Sequence, residues 1–382
     1  MRIVTAFKRP DRLQQLRIIL LLVAVTFGLL YAWVNQHYIW SLDGISYLDV
    51  GDAYFRGDWD TAINGYWSPL YPWLLGLAMF AFKPSPYWEF SVVQLVNLVI
   101  YLFALVCFSY LLHELILYRR GQFVSVPQEG RVILPEWAVL ALGYSLFVWS
   151  SLYWVYSWLE SPDVCLSAFI YLAAGILLRI QRGAAGRLTF AALGLVLGLA
   201  YLTKAVMFPL AFIFLLVSLF PVAGWQRALS RVLIALAVFL LVTAPLIVAL
   251  SRAKGRLTFG DTGRLNYAWY VNEIGLRHWP HWQGEEGGKS TPLHPARKLL
   301  GEPTVYEFRT PAMGTYAIWY DPSYWCDGMN LWFAPVQLIH RLKVNLRFYF
   351  HFFFFTLKCS PMSRPTSGQF KVVFAASFMP CR

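Results

Sequence analysis

An acidic and aromatic stretch directly follows the first long apolar segment of the chain. It begins Ser41-Leu-Asp-Gly-Ile-Ser-Tyr47, continues through Asp49 and Asp52, and ends with Trp67-Ser-Pro-Leu-Tyr-Pro-Trp73. Carboxylates are costly beside hydrocarbon, so a cluster of them at a membrane surface indicates a functional site. A carboxylate held next to a rigid element can act as a general base toward a hydroxyl group. The elements around this stretch must therefore bring its acids into one place.

The composition excludes a soluble globular protein. Of the 382 residues, 58% are hydrophobic and only 14% are charged, whereas soluble chains carry about 25% charged residues. Too few polar side chains remain to cover a water-facing surface, so we expect an all-α polytopic membrane protein. The net charge of +12 does not indicate nucleic-acid binding, because the basic residues occur in short blocks between apolar runs, which is typical of the inner leaflet side of a membrane protein.

Apolar runs of spanning length predict seven transmembrane helices and a candidate eighth that begins near Arg347. The seven runs are 16–34, 90–117, 134–155, 163–179, 188–203, 205–224 and 232–251. The first run follows several basic residues, as in a signal peptide, but it is too long and no small-residue cleavage site follows it, so we expect an uncleaved span. Cys107 and Cys165 lie inside apolar runs, where cysteine behaves as a small hydrophobic residue.

The segment 69–82 is short for a span, and the distribution of basic residues decides its placement. If it does not cross, only Arg56, Lys83 and Lys204 lie in the short connections opposite the basic N-terminus. If it crosses, the basic residues no longer favour the N-terminal side. We therefore predict a surface-lying or re-entrant helix, a cytoplasmic N-terminus, and a site on the outer face of the membrane.

The predicted organisation has three parts. Residues 1–251 form the transmembrane bundle, and its first outer loop, 35–89, carries interfacial helices and the acidic stretch. Residues 252–343 are polar and form a long outer segment without a spanning run. Residues 344–382 contain the candidate eighth span, after which we expect a truncated chain.

Three short motifs, in this order and on one predicted side, resemble the membrane-embedded C-type glycosyltransferases, such as the protein O-mannosyltransferases and the lipid A aminoarabinose transferases. They are the acidic stretch, the tip Glu160-Ser-Pro-Asp163 between two spans, and the glycine-rich helix from Gly194 that ends at Lys204. The resemblance covers roughly residues 10–250. The distal segment 314–325 resembles an uncharacterised bacterial branch and carries no assigned role. Members of the superfamily usually continue with several more spans, and this chain departs from them there.

The resemblance implies transfer of a sugar, with inversion, from a polyprenyl-phosphate donor to a glycolipid or protein acceptor of the cell envelope, without a cofactor. It also implies a bacterial inner membrane, with the site on the periplasmic face. Asp43 would be the general base, because it follows the first span closely; the alternative is that Asp43 only caps the following helix. Lys204 and Arg56 would bind the lipid phosphate, although a lysine at this position can also snorkel to the interface. The implied substrate-binding residues are Tyr47, Asp49, Asp52, Trp67, Tyr71, Glu160 and Asp163.

Other interpretations remain open at this point. The aromatic residues that could stack on a sugar also suit a bilayer interface, where tryptophan and tyrosine gather. Besides those named above, they include Tyr66, Trp269, Tyr270, Trp319, Tyr320 and Trp325. The segment 277–281, with two histidines across a proline, does not give the spacing of a metal site, and no metal is expected. A transporter or flippase of lipid-linked intermediates would also show outer carboxylates, but it should carry ionisable groups near mid-bilayer. A non-catalytic envelope-assembly protein is a third interpretation.

Overall fold

The structure is a computed structural model that describes residues 12–41, 43–125, 134–220, 224–273, 296–300, 305–308, 321–323 and 330–356. The described residues are predominantly helical. The helices are α1 (Arg12–Asn35), α2 (Asp43–Arg56), α3 (Trp59–Ala62), α4 (Leu70–Phe82), α5 (Glu89–Ser125), α6 (Glu136–Trp149), α7 (Asp163–Gln181), α8 (Arg187–Thr203), α9 (Met207–Val217), α10 (Trp225–Lys254), α11 (Thr262–Tyr270) and α12 (Pro335–Thr356).

Among the described residues, three short elements are not α-helical. A π-helical turn, Ser150–Trp154, continues α6. In the predicted outer segment, β1 (Ala296–Leu300) pairs antiparallel with β2 (Val305–Phe308), and Ala296 lies opposite Phe308. The all-α prediction therefore holds for the apolar runs but not for this strand pair.

Within the described residues, five helices are long and apolar enough to cross a membrane: Arg12–Asn35, Glu89–Gly121, Glu136–Trp154, Asp163–Gln181 and Trp225–Lys254. This confirms the prediction of a helical membrane protein. At the runs 188–203 and 205–224 lie α8 and α9, which have only 17 and 11 residues. The prediction of seven or eight spans therefore stays a prediction. The helix at the candidate eighth position, α12, is not among the five.

The chain divides into two compact units. The first comprises Met1–Leu265 and Arg277–Met329, and the second comprises Asn266–Leu276 and Asn330–Arg382. In the second unit, the hydroxyl of Tyr267 accepts a hydrogen bond from the backbone N–H of Ala334 at 2.9 Å, and Arg341 pairs with Glu273 at 2.9 Å. These contacts join the start of α12 to the end of α11. All of the predicted site residues belong to the first unit.

Glycine contacts bring the helices of the first unit close together. A Cβ atom added to Gly194 on α8 would lie 2.1 Å from the carbonyl oxygen of Ala235 on α10. Gly51 on α2 and Gly76 on α4 face each other, since a Cβ on Gly76 would lie 2.6 Å from the carbonyl oxygen of Gly51. Small residues allow helix backbones to approach each other closely. Inside a membrane no hydrophobic effect drives helices together, so these van der Waals contacts stabilise their packing. Helix α4, the predicted interfacial segment, is thus packed onto the helix that starts with Asp43.

Hydrogen bonds and rings fix the first span to the bundle. The ring of Tyr101 on α5 covers Gly28 of α1, where an added Cβ would lie 2.4 Å from Cε1 of the tyrosine. The Tyr101 hydroxyl donates to the carbonyl oxygen of Ala24 at 2.9 Å. Near the other end of α1, the Tyr31 ring stacks on Trp158 with centroids 5.1 Å apart. The helix that leads into the acidic stretch therefore has a fixed position.

We predict that Gly194→Val destabilises the protein. The valine side chain at position 194 must displace the backbone of α10. Overpacking of this kind lowers the free energy of unfolding by about 1–3 kcal/mol. The matched control is Ala192→Val, on the exposed side of the same helix. Thermal unfolding in detergent should show a lower midpoint for Gly194→Val only; equal midpoints for the two variants would contradict the close packing of α8 on α10.

Candidate functional site

Asp43 is the first residue of α2, and its backbone N–H donates to the hydroxyl oxygen of Ser41 at 3.2 Å. The backbone N–H of Gly44 donates to the carbonyl oxygen of Ser41 at 3.0 Å. Ser41 thus supplies the hydrogen bonds that start the helix. Ser41 therefore provides capping hydrogen bonds at this helix start. Asp43 is exposed, so a ligand can reach its carboxylate.

Asp163 and Lys204 form an ion pair at the same end of the bundle. Asp163 is the first residue of α7 and follows Pro162, whose fixed φ suits a helix start. Lys204 directly follows α8 and has extended backbone angles, which turn the chain toward α9. The Nζ atom of Lys204 contacts Oδ1 of Asp163, while the Ser161 hydroxyl donates to Oδ2. The two paired side chains are 36% and 42% exposed, so a ligand could reach them.

Asp43 lies within electrostatic reach of this ion pair. Burial within the surrounding protein raises the pKa of the Asp43 carboxyl, the Lys204 ammonium lowers it, and the Asp163 carboxylate raises it. The side chain remains exposed to solvent, so the desolvation comes from the mass of protein around it rather than from atoms that cover it. The structure therefore brings Asp43, Asp163 and Lys204 together as one group of charges.

Glu160 is fully buried and holds the chain that leads into α2. Its Oε2 atom accepts hydrogen bonds from the backbone N–H groups of Trp40 at 3.0 Å and Ser41 at 2.9 Å. Burial raises the pKa of the Glu160 carboxyl, and these backbone hydrogen bonds partly oppose the increase. Its Cβ atom also packs under Gly44, where an added Cβ would lie 2.5 Å away. These contacts give Glu160 a positioning role; its predicted contact with substrate stays a prediction.

Two polar residues of α5 complete the support and were not singled out from the sequence. Gln94 donates to the carbonyl oxygen of Trp158 at 2.7 Å and lies 3.5 Å from Oε1 of Glu160. Asn97 donates to the carbonyl oxygen of Leu159 at 3.3 Å. Their spacing of three residues inside an apolar run was the available signal, because it places two buried polar groups on one face of a helix.

The predicted aromatic residues form a packed layer beneath Asp43. Tyr47 contacts Trp67 and Tyr71 edge to face, with ring centroids 4.8 and 5.2 Å apart. The Tyr71 hydroxyl donates to Asn97 Oδ1 at 2.8 Å. Tyr47 and Trp67 are 6% and 7% exposed, and Tyr71 is fully buried. The rings therefore support the site from below, and their predicted stacking on a sugar stays a prediction.

Asp52 and Arg56 are not brought into this group. They pair with each other at 2.7 Å on the exposed surface of α2. Nine residues along a helix correspond to about 13.5 Å and about two and a half turns, so Asp52 lies on the side of α2 opposite Asp43. Asp49 is half-buried on the same helix. The predicted role of Arg56 toward a lipid phosphate has no support from this position.

The segment 277–281 and the aromatic residues at 319, 320 and 325 lie outside the described residues. Trp269 and Tyr270 belong to the second unit. In the part of the chain that the structure describes, no three histidine, cysteine, aspartate or glutamate side chains come together to hold a metal ion.

We predict that Glu160→Ala destabilises the start of α2, whereas Glu160→Gln is tolerated better. Alanine leaves the N–H groups of Trp40 and Ser41 without their acceptor, which costs about 1–3 kcal/mol for each buried group. Glutamine keeps a carbonyl oxygen that can accept both hydrogen bonds. Thermal unfolding of the two purified variants should rank alanine below glutamine. Equal loss in both variants would mean that the charge, not the acceptor geometry, matters.

Comparisons of the chain with protein-family models, with curated proteins and with solved structures found no match. The function must therefore be inferred from the sequence motifs and from the geometry of the site. The central element of that geometry is the group formed by Asp43, Asp163 and Lys204.

Proposed function

We propose that the protein is a membrane glycosyltransferase that moves a sugar from a polyprenyl-phosphate donor to a glycolipid or protein acceptor of the bacterial envelope. The observation that carries the proposal is the accessible Asp43 carboxylate, which lies in the electrostatic field of Lys204 and Asp163 at one end of the bundle. This end would face the periplasm, with the basic N-terminus in the cytoplasm.

Asp43 would act as the general base. The acceptor hydroxyl gives its proton to the carboxylate while its oxygen attacks the anomeric carbon of the sugar. The bond between that carbon and the phosphate oxygen breaks, and the polyprenyl phosphate leaves with the bonding electrons. Because the surrounding protein raises the pKa of Asp43, the carboxylate is a stronger base than an ordinary aspartate.

Lys204 would stabilise the charge that develops on the leaving phosphate. A preorganised cation contributes most where water is partly excluded. Asp163 restrains the lysine side chain through the ion pair, so the ammonium does not need to be ordered when the donor arrives. The half-exposed position of the pair is consistent with access for a phosphate group at the membrane surface.

The positions of the charges favour surface chemistry over transport. A transporter should carry ionisable groups near mid-bilayer. The ion pair between Glu114 and Arg182 is partly buried, but Arg182 directly follows the last residue of α7, so this pair lies at a helix end. The Asp43 group lies at helix ends as well.

We expect Asp43→Asn to abolish sugar transfer while leaving the fold intact. The amide cannot accept the proton, and loss of a general base lowers rates about 10²–10⁴-fold. Transfer should be measured with purified protein in lipid vesicles that contain polyprenyl-phosphate sugars and envelope glycolipids. Asp60→Asn, an exposed acid outside the group, is the control. Wild-type rates in Asp43→Asn would remove Asp43 as the base.

The pH dependence of transfer should report the charges around Asp43. The rate should fall as the pH decreases through a pKa above the ordinary 3.8, because the base becomes protonated. Since Lys204 lowers this pKa, we expect the residual activity of Lys204→Met to decline at a higher pH than that of the wild type. Lys83→Met, at the end of α4, should keep the wild-type midpoint. An unchanged midpoint in Lys204→Met would contradict the electrostatic contact.

A further inference from the structure

The turn between α3 and α4 is held by two distant parts of the chain. The carbonyl oxygen of Gly65 accepts a hydrogen bond from the backbone N–H of Asp261 at 2.7 Å. The N–H of Gly65 donates to Oδ2 of Asp321 at 3.3 Å. Both backbone groups of this glycine are therefore bound, each by a residue about 200 positions or more along the chain.

A side chain at position 65 would crowd three neighbouring side chains. A Cβ atom on residue 65 would lie 2.5 Å from the hydroxyl oxygen of Ser323, 3.1 Å from Cε of Lys254 and 3.2 Å from Oδ2 of Asp261. The three side chains converge on the same face of the glycine. We name Lys254, Asp261, Asp321 and Ser323 the loop anchor.

Together with Arg256, the loop anchor forms a largely buried cluster of two cationic and two anionic side chains. Lys254 pairs with Oδ2 of Asp321 at 3.4 Å, and these side chains are only 11% and 9% exposed. Oδ1 of Asp321 accepts hydrogen bonds from the backbone N–H and the hydroxyl of Ser323, at 3.0 and 2.5 Å. Asp261 pairs with Arg256 at 2.5 Å. Removal of one charge from such a cluster leaves its buried partner uncompensated.

The chain reaches this arrangement through the end of α10. Gly255 ends the helix with φ of 63°, a left-handed conformation that favours glycine. Gly260, with φ of 133°, then turns the chain so that the N–H of Asp261 meets Gly65. The same segment also packs beside Lys204, because a Cβ on Gly260 would lie 2.9 Å from Cβ of Ala205.

The turn that the anchor holds continues directly into the aromatic layer. Oδ1 of Asn64 accepts hydrogen bonds from the N–H groups of Tyr66 and Trp67, both at 2.9 Å. The hydroxyl of Thr262, next to Asp261, donates to the carbonyl oxygen of Tyr66 at 2.8 Å. Trp67 then packs on Tyr47, one helical turn beyond Asp43. A shift at Gly65 would therefore move Trp67, and through the contact between Trp67 and Tyr47 it would reach the helix that carries Asp43.

We infer that Lys254, Asp261 and Asp321 are positioning residues, which fix the turn 64–67 and through it the aromatic layer beneath Asp43. This gives the segment 321–323 a role in the site, although it is far from Asp43 in sequence. The anchoring itself does not depend on the reaction; only its catalytic consequence rests on the proposed function.

Hydrogen–deuterium exchange of the full-length protein in lipid nanodiscs tests the anchoring. Gly65→Ala and Asp321→Asn should each increase exchange of the backbone amides at 64–67 at least tenfold. The matched controls are Gly263→Ala, where a Cβ meets no atom within 4 Å, and Asp60→Asn on the exposed surface; both should exchange like the wild type. If Asp321→Asn fails to fold, the charge-balanced pair Lys254→Met with Asp321→Asn replaces it.

Sugar transfer is measured on the same samples. Gly65→Ala should lower kcat at least tenfold, because Asp43 is misplaced. The KM for the lipid-linked donor should stay within about twofold, because Lys204, which would bind the donor phosphate, is unchanged. Unchanged exchange at 64–67 in both variants overturns the inference. Increased exchange with normal kcat overturns the positioning role. Increased exchange in a protein whose wild type transfers no sugar supports the anchor and rejects the proposed function instead.

Discussion

The ion pair between Asp163 and Lys204 joins the first turn of α7 to the end of α8, at the bundle end where α2 begins. Two helices that pack in an apolar medium could slide along each other without loss of apolar contact, because lipid solvates them equally well. A paired charge at their ends removes that freedom. It also places a cation and a second carboxylate near Asp43. The charges of this pair act on the pKa of the Asp43 carboxyl in addition to burial, which is the larger influence.

The rest of the bundle supports the contact by close backbone approach and by buried polar groups. Gly194 allows α8 to lie against α10, and Gly51 and Gly76 join α2 to α4. Glu160 then fixes the entry of α2 by accepting two backbone hydrogen bonds. Each of these groups acts near a helix end or a helix crossing, where a small displacement would move Asp43. Tight packing therefore limits the mobility of the acid without covering it.

The apolar runs predicted the five helices of spanning length, because length and hydropathy are enough to identify such a helix. The predicted start of one run at Asp163 is also the start of α7. The order of the motifs also pointed to Asp43, Asp163 and Lys204. Sequence could not reveal that Glu160 points inward to Trp40 and Ser41, since that contact joins residues 119 or more positions apart. The anchor around Gly65 was hidden for the same reason. Asp52 and Arg56 were grouped with Asp43 by proximity in sequence, but helical geometry places Asp52 on the opposite side of α2.

The central claim is that Asp43 and Lys204 work from one side of the membrane. The most direct measurement is labelling of single cysteines by a membrane-impermeant maleimide in intact spheroplasts, in a background without the natural cysteines. Cysteine at position 43 and at position 204 should both be labelled. Cysteine at position 187, at the other end of α8, should react only after the membrane is opened. Labelling of only one of positions 43 and 204 in intact spheroplasts would contradict a shared reaction centre.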